Sequence, residues 1–196
     1  MGEPPCPEPR PTAAPASSST TPGATSCSAR SRCPWCAVAL FQRLAGRSGV
    51  RPGDRVLDIG CGTGALTLAV AAAVSPGGSV MGVDPSEPMV EHARRLAARR
   101  GANASFALGT AQELDAADGS FDAVVTSFAV HHVRADRRGR AFAEMFRVLR
   151  PGGRLLVADF RGPAGRHRGM IAAVSFTGLA RGRELPFAHW ITATRP

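Results

Sequence analysis

Lysine and tyrosine are both absent from these 196 residues, acidic side chains are few, and no long apolar run occurs. Without lysine, all 24 basic residues are arginine; set against 15 acidic ones, they give a formal net charge of +9. A charge of that sign suits nucleic acid, but the arginines are scattered over several helical and loop segments, as on a solvated surface. A membrane-spanning helix needs about 18 or more consecutive apolar residues, and no stretch provides them. The N-terminus lacks the basic-then-apolar profile of a secretory signal. Four of the five cysteines, Cys6, Cys27, Cys33 and Cys36, lie in or beside the first stretch, with Cys61 apart, which does not describe a disulfide framework. A cytoplasmic protein is expected.

Met1 to Arg32 is rich in Pro, Ser, Thr, Ala and Gly and has no apolar period. Such a stretch buries too little surface to offset its ordering entropy and is expected to be disordered. The tail is read as residues 1–36 and one folded domain as residues 37–196. Cys33-Pro-Trp-Cys36 has the spacing of a redox pair or of half a zinc site. A redox pair would need a preceding strand, and a zinc site two further ligands at matching spacing; the sequence has neither. No metal is expected, and Trp35 is read as stapling the first helix to the domain.

The richest stretch is Arg55 to Gly64, an apolar strand running into glycines at alternate positions, Gly60, Gly62 and Gly64, after which a helix opens at Ala65. Glycines there permit a sharp turn and bring backbone N–H groups against a ligand beside a helix N-terminus. Gly60, Gly62 and Ala65 also fit the relaxed dinucleotide fingerprint, so the glycines alone leave the cofactor open. Asp58, at the strand tip, would repel a pyrophosphate and attract a ligand carrying an ammonium and a sulfonium. That charge argument favours S-adenosylmethionine over a nicotinamide dinucleotide.

The segment Val56-Leu-Asp-Ile-Gly-Cys-Gly-Thr-Gly64 resembles the first motif of the class I S-adenosylmethionine-dependent methyltransferases. Gly82-Val-Asp84-Pro-Ser86, Ser120 to Ser127, His131-His132 and Arg147-Val-Leu-Arg-Pro-Gly-Gly153 follow in that family's order, and the likeness runs from about Phe41 to Pro196. Five blocks in register carry more weight than one glycine loop. Within the family, the likeness is greatest to small-molecule and quinone-type enzymes. It implies a cofactor held by Asp58, Gly60, Cys61, Gly62 and Gly64 around the methionine part. It places Asp84 and Pro85 at the ribose, Met89 over the adenine, Thr110 and Ala111 at its edge, and Ser127 at the end of the fourth strand. The family usually has an acid where Thr110 stands. Asp84 lies 24 positions after Gly60, in the range where an acid meets a ribose. Its other reading, a helix cap, is better filled by Ser86.

Periodicity predicts helices over Ala37–Arg47, Ala65–Val74, Glu87–Arg100 (Met89, Val90, Ala93, Leu96 and Ala97 inward), Arg140–Arg150 and near His167–Val174. Strands are predicted over 55–59, 79–83, 103–108, 121–127, 155–159, 179–184 and 187–194, with Pro151-Gly-Gly153 as a break before the fifth. The fold class is α/β, a Rossmann-like doubly wound sheet of seven mostly parallel strands; the resemblance makes the last two an antiparallel hairpin. Arg161, Arg166, His167 and Arg168 are expected in a loop past the fifth strand, either drawing an anionic substrate or simply solvated. Two adjacent histidines diverge in regular structure, so His131 and His132 make a poor metal pair. Either one is a structural histidine at the sheet end or a general base near neutral pH.

Three functions follow. The first is methyl transfer from S-adenosylmethionine to a small-molecule acceptor by direct displacement. The second is methylation of RNA or another nucleic acid, which the charge invites. Against it, amine methylation in the family uses Asn/Asp-Pro-Pro-Tyr/Phe after strand four, where this chain reads Thr126-Ser-Phe-Ala129. The third is a non-catalytic subunit that keeps the cofactor fold. The sequence leaves the oligomeric state and the methylated atom open.

Overall fold

The structure, a computed structural model, describes residues 34–160, 164–185 and 188–196, with the side chains of 34–37, 164–166 and 185 left aside. The expected disorder of Met1–Arg32, the pairing of Cys33 with Cys36, the Trp35 staple and the Arg161 and Arg166 side chains lie outside the described residues. No helix among the described residues is long and apolar enough to cross a membrane.

Strands and helices alternate as the apolar pattern requires: α1 (Pro34–Arg47), β1 (Arg55–Ile59), α2 (Ala65–Val74), β2 (Ser79–Asp84), α3 (Glu87–Arg100), β3 (Ala104–Leu108) and β4 (Phe121–Ser127). Two short 3-10 turns, Val130–His132 and Ala135–Arg137, lead into α4 (Arg138–Val148), β5 (Leu149–Phe160), α5 (Ala164–Ala173), β6 (Thr177–Leu185) and β7 (Ala188–Thr194). The seven strands form one sheet in the order β3-β2-β1-β4-β5-β7-β6. The first five are parallel, and β7 runs antiparallel to both β5 and β6. This is the doubly wound sheet with a closing hairpin that the sequence predicts.

Alternation along the strands sorts the core into two layers. Val56, Val125 and Leu156 face α1 and α2, packing on Leu44, Leu66 and Val70. Leu57, Val124, Leu155 and Val157 face α4 and α5, packing on Phe142, Met145 and Ile171. Chain order reverses between β1 and β4, opening a crevice at their carboxyl ends, the place where open α/β sheets take ligands.

Several boundaries move, each for a local reason. Helix α1 takes in Pro34–Cys36, which composition assigns to the tail. Helix α4 runs two residues ahead of its prediction, because Leu149 leaves it to pair with Phe121 in the sheet. Pro151-Gly-Gly153 does not precede β5 but lies inside it. The extra residues are absorbed by a register shift between the Phe121 and Ala123 pairs. Gly152 and Gly153 then exchange backbone bonds with Arg195. His167 is not in a solvated loop: it sits on α5, fully buried. Met89 is 43% exposed rather than turned into the core, since it sits at the open end of α3.

Candidate active site

The Gly60–Gly64 turn joins β1 to α2. Gly60 takes φ +69° and donates its N–H to Val83 O at 2.8 Å, tying the turn to β2. Its backbone runs so close to Ala129 that a side chain there would overlap the Ala129 methyl. Only glycine meets both demands.

Asp84 closes the next strand and belongs to the same turn. Gly62 N–H donates to its Oδ2 and Ser86 N–H to its Oδ1, both at 2.9 Å. The carboxylate is thereby aimed, and each oxygen keeps a lone pair for a ligand. Ser86 does stand at the cap position of α3, yet its hydroxyl makes no capping bond. The acid holds the backbone there instead.

Around this turn lies a cavity of about 600 Å³. Its wall includes Gly60, Cys61, Gly62, Asp84, Pro85, Met89, Thr110, Ala111, Ser127 and His132 from the sequence-predicted set. Asp58, Gly64 and His131 are not in the wall. Sequence reasoning put Phe128 and Ala129 at the ligand-binding end of β4, and both line the cavity; it missed Phe41, Leu66, Gln112, Thr126, Val130, Val133 and Met145. For Val130 the signal existed, since it lies just past the end of β4. Phe41 and Met145 sit on helices whose apolar period marks them only as core.

Asp58 corrects the charge argument. Alternation turns it to the α2 face, where it is 1% exposed and accepts the Thr67 hydroxyl at 2.6 Å. Its Oδ1 has no partner among the described residues. Burial pushes its pKa up to about 7; the Thr67 bond opposes that rise and the Asp84 charge adds to it. The carboxylate at the cavity surface is therefore Asp84, not Asp58. The sign of the argument survives the correction, because among the described residues no arginine lines the cavity. A pyrophosphate would meet the Asp84 carboxylate there, whereas a cationic ligand is suited. Burial, with Asp58 and Asp84 nearby, raises the Cys61 thiol well above the ordinary range, so this buried thiol is no nucleophile.

The two histidines do not diverge. They sit in a 3-10 turn with ring centroids 3.9 Å apart. His131 Nδ1 is 2.6 Å from Asp159 Oδ1, which draws its ring down beside the sheet while His132 reaches the cavity. Phe128 carries φ +54°, an uncommon left-handed conformation for a side chain of that bulk, and lines the cavity. Among the described residues, no group of three or more His, Cys, Asp or Glu is placed to hold a metal.

Comparison with known proteins adds three findings. A family model described as a methyltransferase domain matches residues 56–153, half of the chain. The demethylmenaquinone methyltransferase of Symbiobacterium thermophilum is 42% identical over 118 residues, 59% of this chain and 46% of that protein. The chain thus spans about half the length of the curated relatives it matches. Among solved structures, a SAM-dependent methyltransferase from Aquifex aeolicus aligns with TM-score 0.72 at 18% identity, covering 80% of this chain and 89% of that one. The [4+2]-cyclase SpnF aligns with TM-score 0.75 at 23% identity, covering 85% and 84%. Likenesses at that identity show the fold, and the same fold serving a cyclase means that function must be argued from the site.

Proposed function

Since the chain belongs to the methyltransferase-domain family, we propose that it moves a methyl group from S-adenosylmethionine to a small apolar acceptor of the quinol type. The observation that carries this reading is the sign of the cavity: in a protein of net charge +9, its wall among the described residues holds Asp84 and no arginine. Two further features fit the donor. Asp84 keeps lone pairs for two vicinal hydroxyls, and Thr126 Oγ1, in the wall, has no hydrogen-bond partner among the described residues.

When bound, S-adenosylmethionine supplies a methyl carbon already made electrophilic by its sulfonium, leaving the protein to align, orient and exclude water. The Gly60–Gly64 backbone and Cys61 hold the methionine part, with buried Asp58 behind them. Asp84 and Pro85 take the ribose, Met89 flanks the adenine, and Thr110 and Ala111 meet its edge. Ser127 lines the cavity at the carboxyl end of β4. Phe41, Phe128, Val130, Val133 and Met145 add apolar wall to the cavity, which suits a flat hydrocarbon-rich acceptor. His132 takes the proton that a quinol hydroxyl releases as it becomes a nucleophile. The quinol class is supported by the name of the Symbiobacterium thermophilum relative.

A nucleic-acid acceptor draws no comparable support, because among the described residues no arginine lines the cavity. The test has two steps. Calorimetric titration should show S-adenosylmethionine binding while a nicotinamide dinucleotide gives no heat; the reverse result ends the reading. Labelled methyl from the donor should then appear in a 1,4-naphthohydroquinone and not in RNA.

A further inference from the structure

Asp159 is fully buried at the carboxyl end of β5 and does not line the cavity. Its bonds converge on one turn. Oδ2 accepts the backbone N–H of His131 at 2.9 Å, while Oδ1 lies 2.6 Å from His131 Nδ1 and accepts Phe160 N–H at 2.8 Å. Both carboxyl oxygens accept backbone N–H groups, so the short ring contact is assigned as Nδ1–H donating to Oδ1. From the other side, Arg138 Nη2 donates to His131 O at 3.0 Å. His131 is thus fixed through its N–H, its carbonyl and its ring.

That fixed ring is the surface His132 rests on, at 3.9 Å between centroids and a 41° tilt. Phe160 meets His131 edge-on at 4.9 Å. Of the two imidazoles, His132 is the one in the cavity wall. Behind Asp159 stand two more: His189, opposite it in the β5–β7 register, and His167 on α5, with ring centroids 6.1 Å apart. Burial pushes His167 down to about 4, against the pull of Asp159, and lowers His189 as well. The donors that Asp159 accepts are His131 and Phe160, and no hydrogen bond from His167 or His189 to it is found among the described residues.

We propose that Asp159 is a positioning residue, which acts through His131 to hold His132 as the proton acceptor of the cavity. The proton leaves an acceptor hydroxyl for a nitrogen of His132, its electron pair stays on the acceptor oxygen, and no oxidant or reductant is involved. Asp159 touches none of the reacting atoms. It sets the tautomer and plane of the ring against which His132 is stacked, so His132 does not have to be ordered at the moment of reaction.

Histidine-selective ¹⁵N labelling of the whole chain, read by two-bond ¹H–¹⁵N correlation, tests this without an acceptor. In the wild-type protein His131 should carry its proton on Nδ1; finding it on Nε2 overturns the proposal. Asp159→Asn, whose amide can donate, should reverse or average that tautomer and shift the His132 ring signals, and unmoved His132 signals would also sink it. This inference rests on the methyl-transfer reading only for its kinetic arm. With a 1,4-naphthohydroquinone probe, kcat should fall about tenfold or more while KM and S-adenosylmethionine affinity stay within about threefold. If Asp159→Asn does not fold, His131→Phe keeps a ring for stacking but loses the tie, and undiminished turnover in it counts against Asp159. A wild-type protein that binds the donor but does not methylate the probe defeats the quinol assignment, while the tautomer measurement still decides the role of Asp159.

Discussion

Gly60 and Ala129 face each other so closely that a methyl group on the glycine would overlap the alanine side chain. The contact joins the β1–α2 turn to the residues following β4, the two segments that flank the cavity. Gly60→Ala therefore adds a clash to a φ of +69°. The left-handed strain costs roughly 1–2 kcal/mol and the overpacking about 1–3 kcal/mol. Gly62→Ala shares the positive φ but meets open space. Thermal unfolding should show Gly60→Ala clearly less stable than Gly62→Ala, and equal losses would mean that the Ala129 contact relaxes freely.

Asp84 serves two masters, the turn backbone and the ligand. Asp84→Ala leaves Gly62 N–H and Ser86 N–H without their acceptor, at a cost of about 1–2 kcal/mol in stability for two partly solvated bonds. It also removes the only carboxylate that the described residues bring to the cavity wall. S-adenosylmethionine affinity, measured by calorimetry, should fall at least about tenfold with the fold retained by circular dichroism. Unchanged affinity would take the ribose away from this residue.

Asp58 gives the stability a pH dependence whose sign can be worked out. Its folded pKa of about 7 lies above the ordinary carboxylate value of 3.8, so the folded state holds the proton more tightly. The associated stability is present in full below about 4 and is lost as pH rises through about 7, at up to about 1.4 kcal/mol per pH unit. His167, depressed to about 4, works in the opposite direction below pH 6.5, but it is common to both proteins in a comparison. Asp58→Asn should therefore gain stability relative to wild type as pH goes from 5 to 8. A difference that does not change with pH would show that Asp58 ionises normally.

Glu184 anchors α1. Arg43 Nε reaches its Oε1 at 2.5 Å and Arg47 Nε its Oε2 at 2.7 Å, while the Arg47 guanidinium lies 4.9 Å over the Trp190 ring. Burial pushes the Glu184 carboxyl up, and the two arginines outweigh it, holding it below its ordinary range. Both arginines are nearly half exposed, so solvent screens the pair, and Glu184→Gln should cost only about 1 kcal/mol. The same helix brings Phe41 to the cavity. Hydrogen exchange in α1 should quicken in Glu184→Gln, and KM for a quinol probe should rise more than kcat falls. Unaltered exchange would show that Leu44 and Ala45, buried in the core, dock the helix unaided.

The sequence by itself determined the order of elements, the parallel sheet and the glycine turn. Those follow from local causes: alternating and continuous apolar runs, and a backbone that only glycine can follow at Gly60. It could equally place Asp84 at a strand end, because strand periodicity and spacing carry that far. Only the tertiary structure decided which way each side chain points and what it meets. Residue parity turned Asp58 under α2 and away from the ligand, α5 buried His167, and an acid 28 residues downstream bound His131 to the sheet. Phe41 and Met145 became cavity wall through helix docking. Local pattern carries no information on such contacts, because they arise between segments far apart in the chain and are set by how whole layers pack.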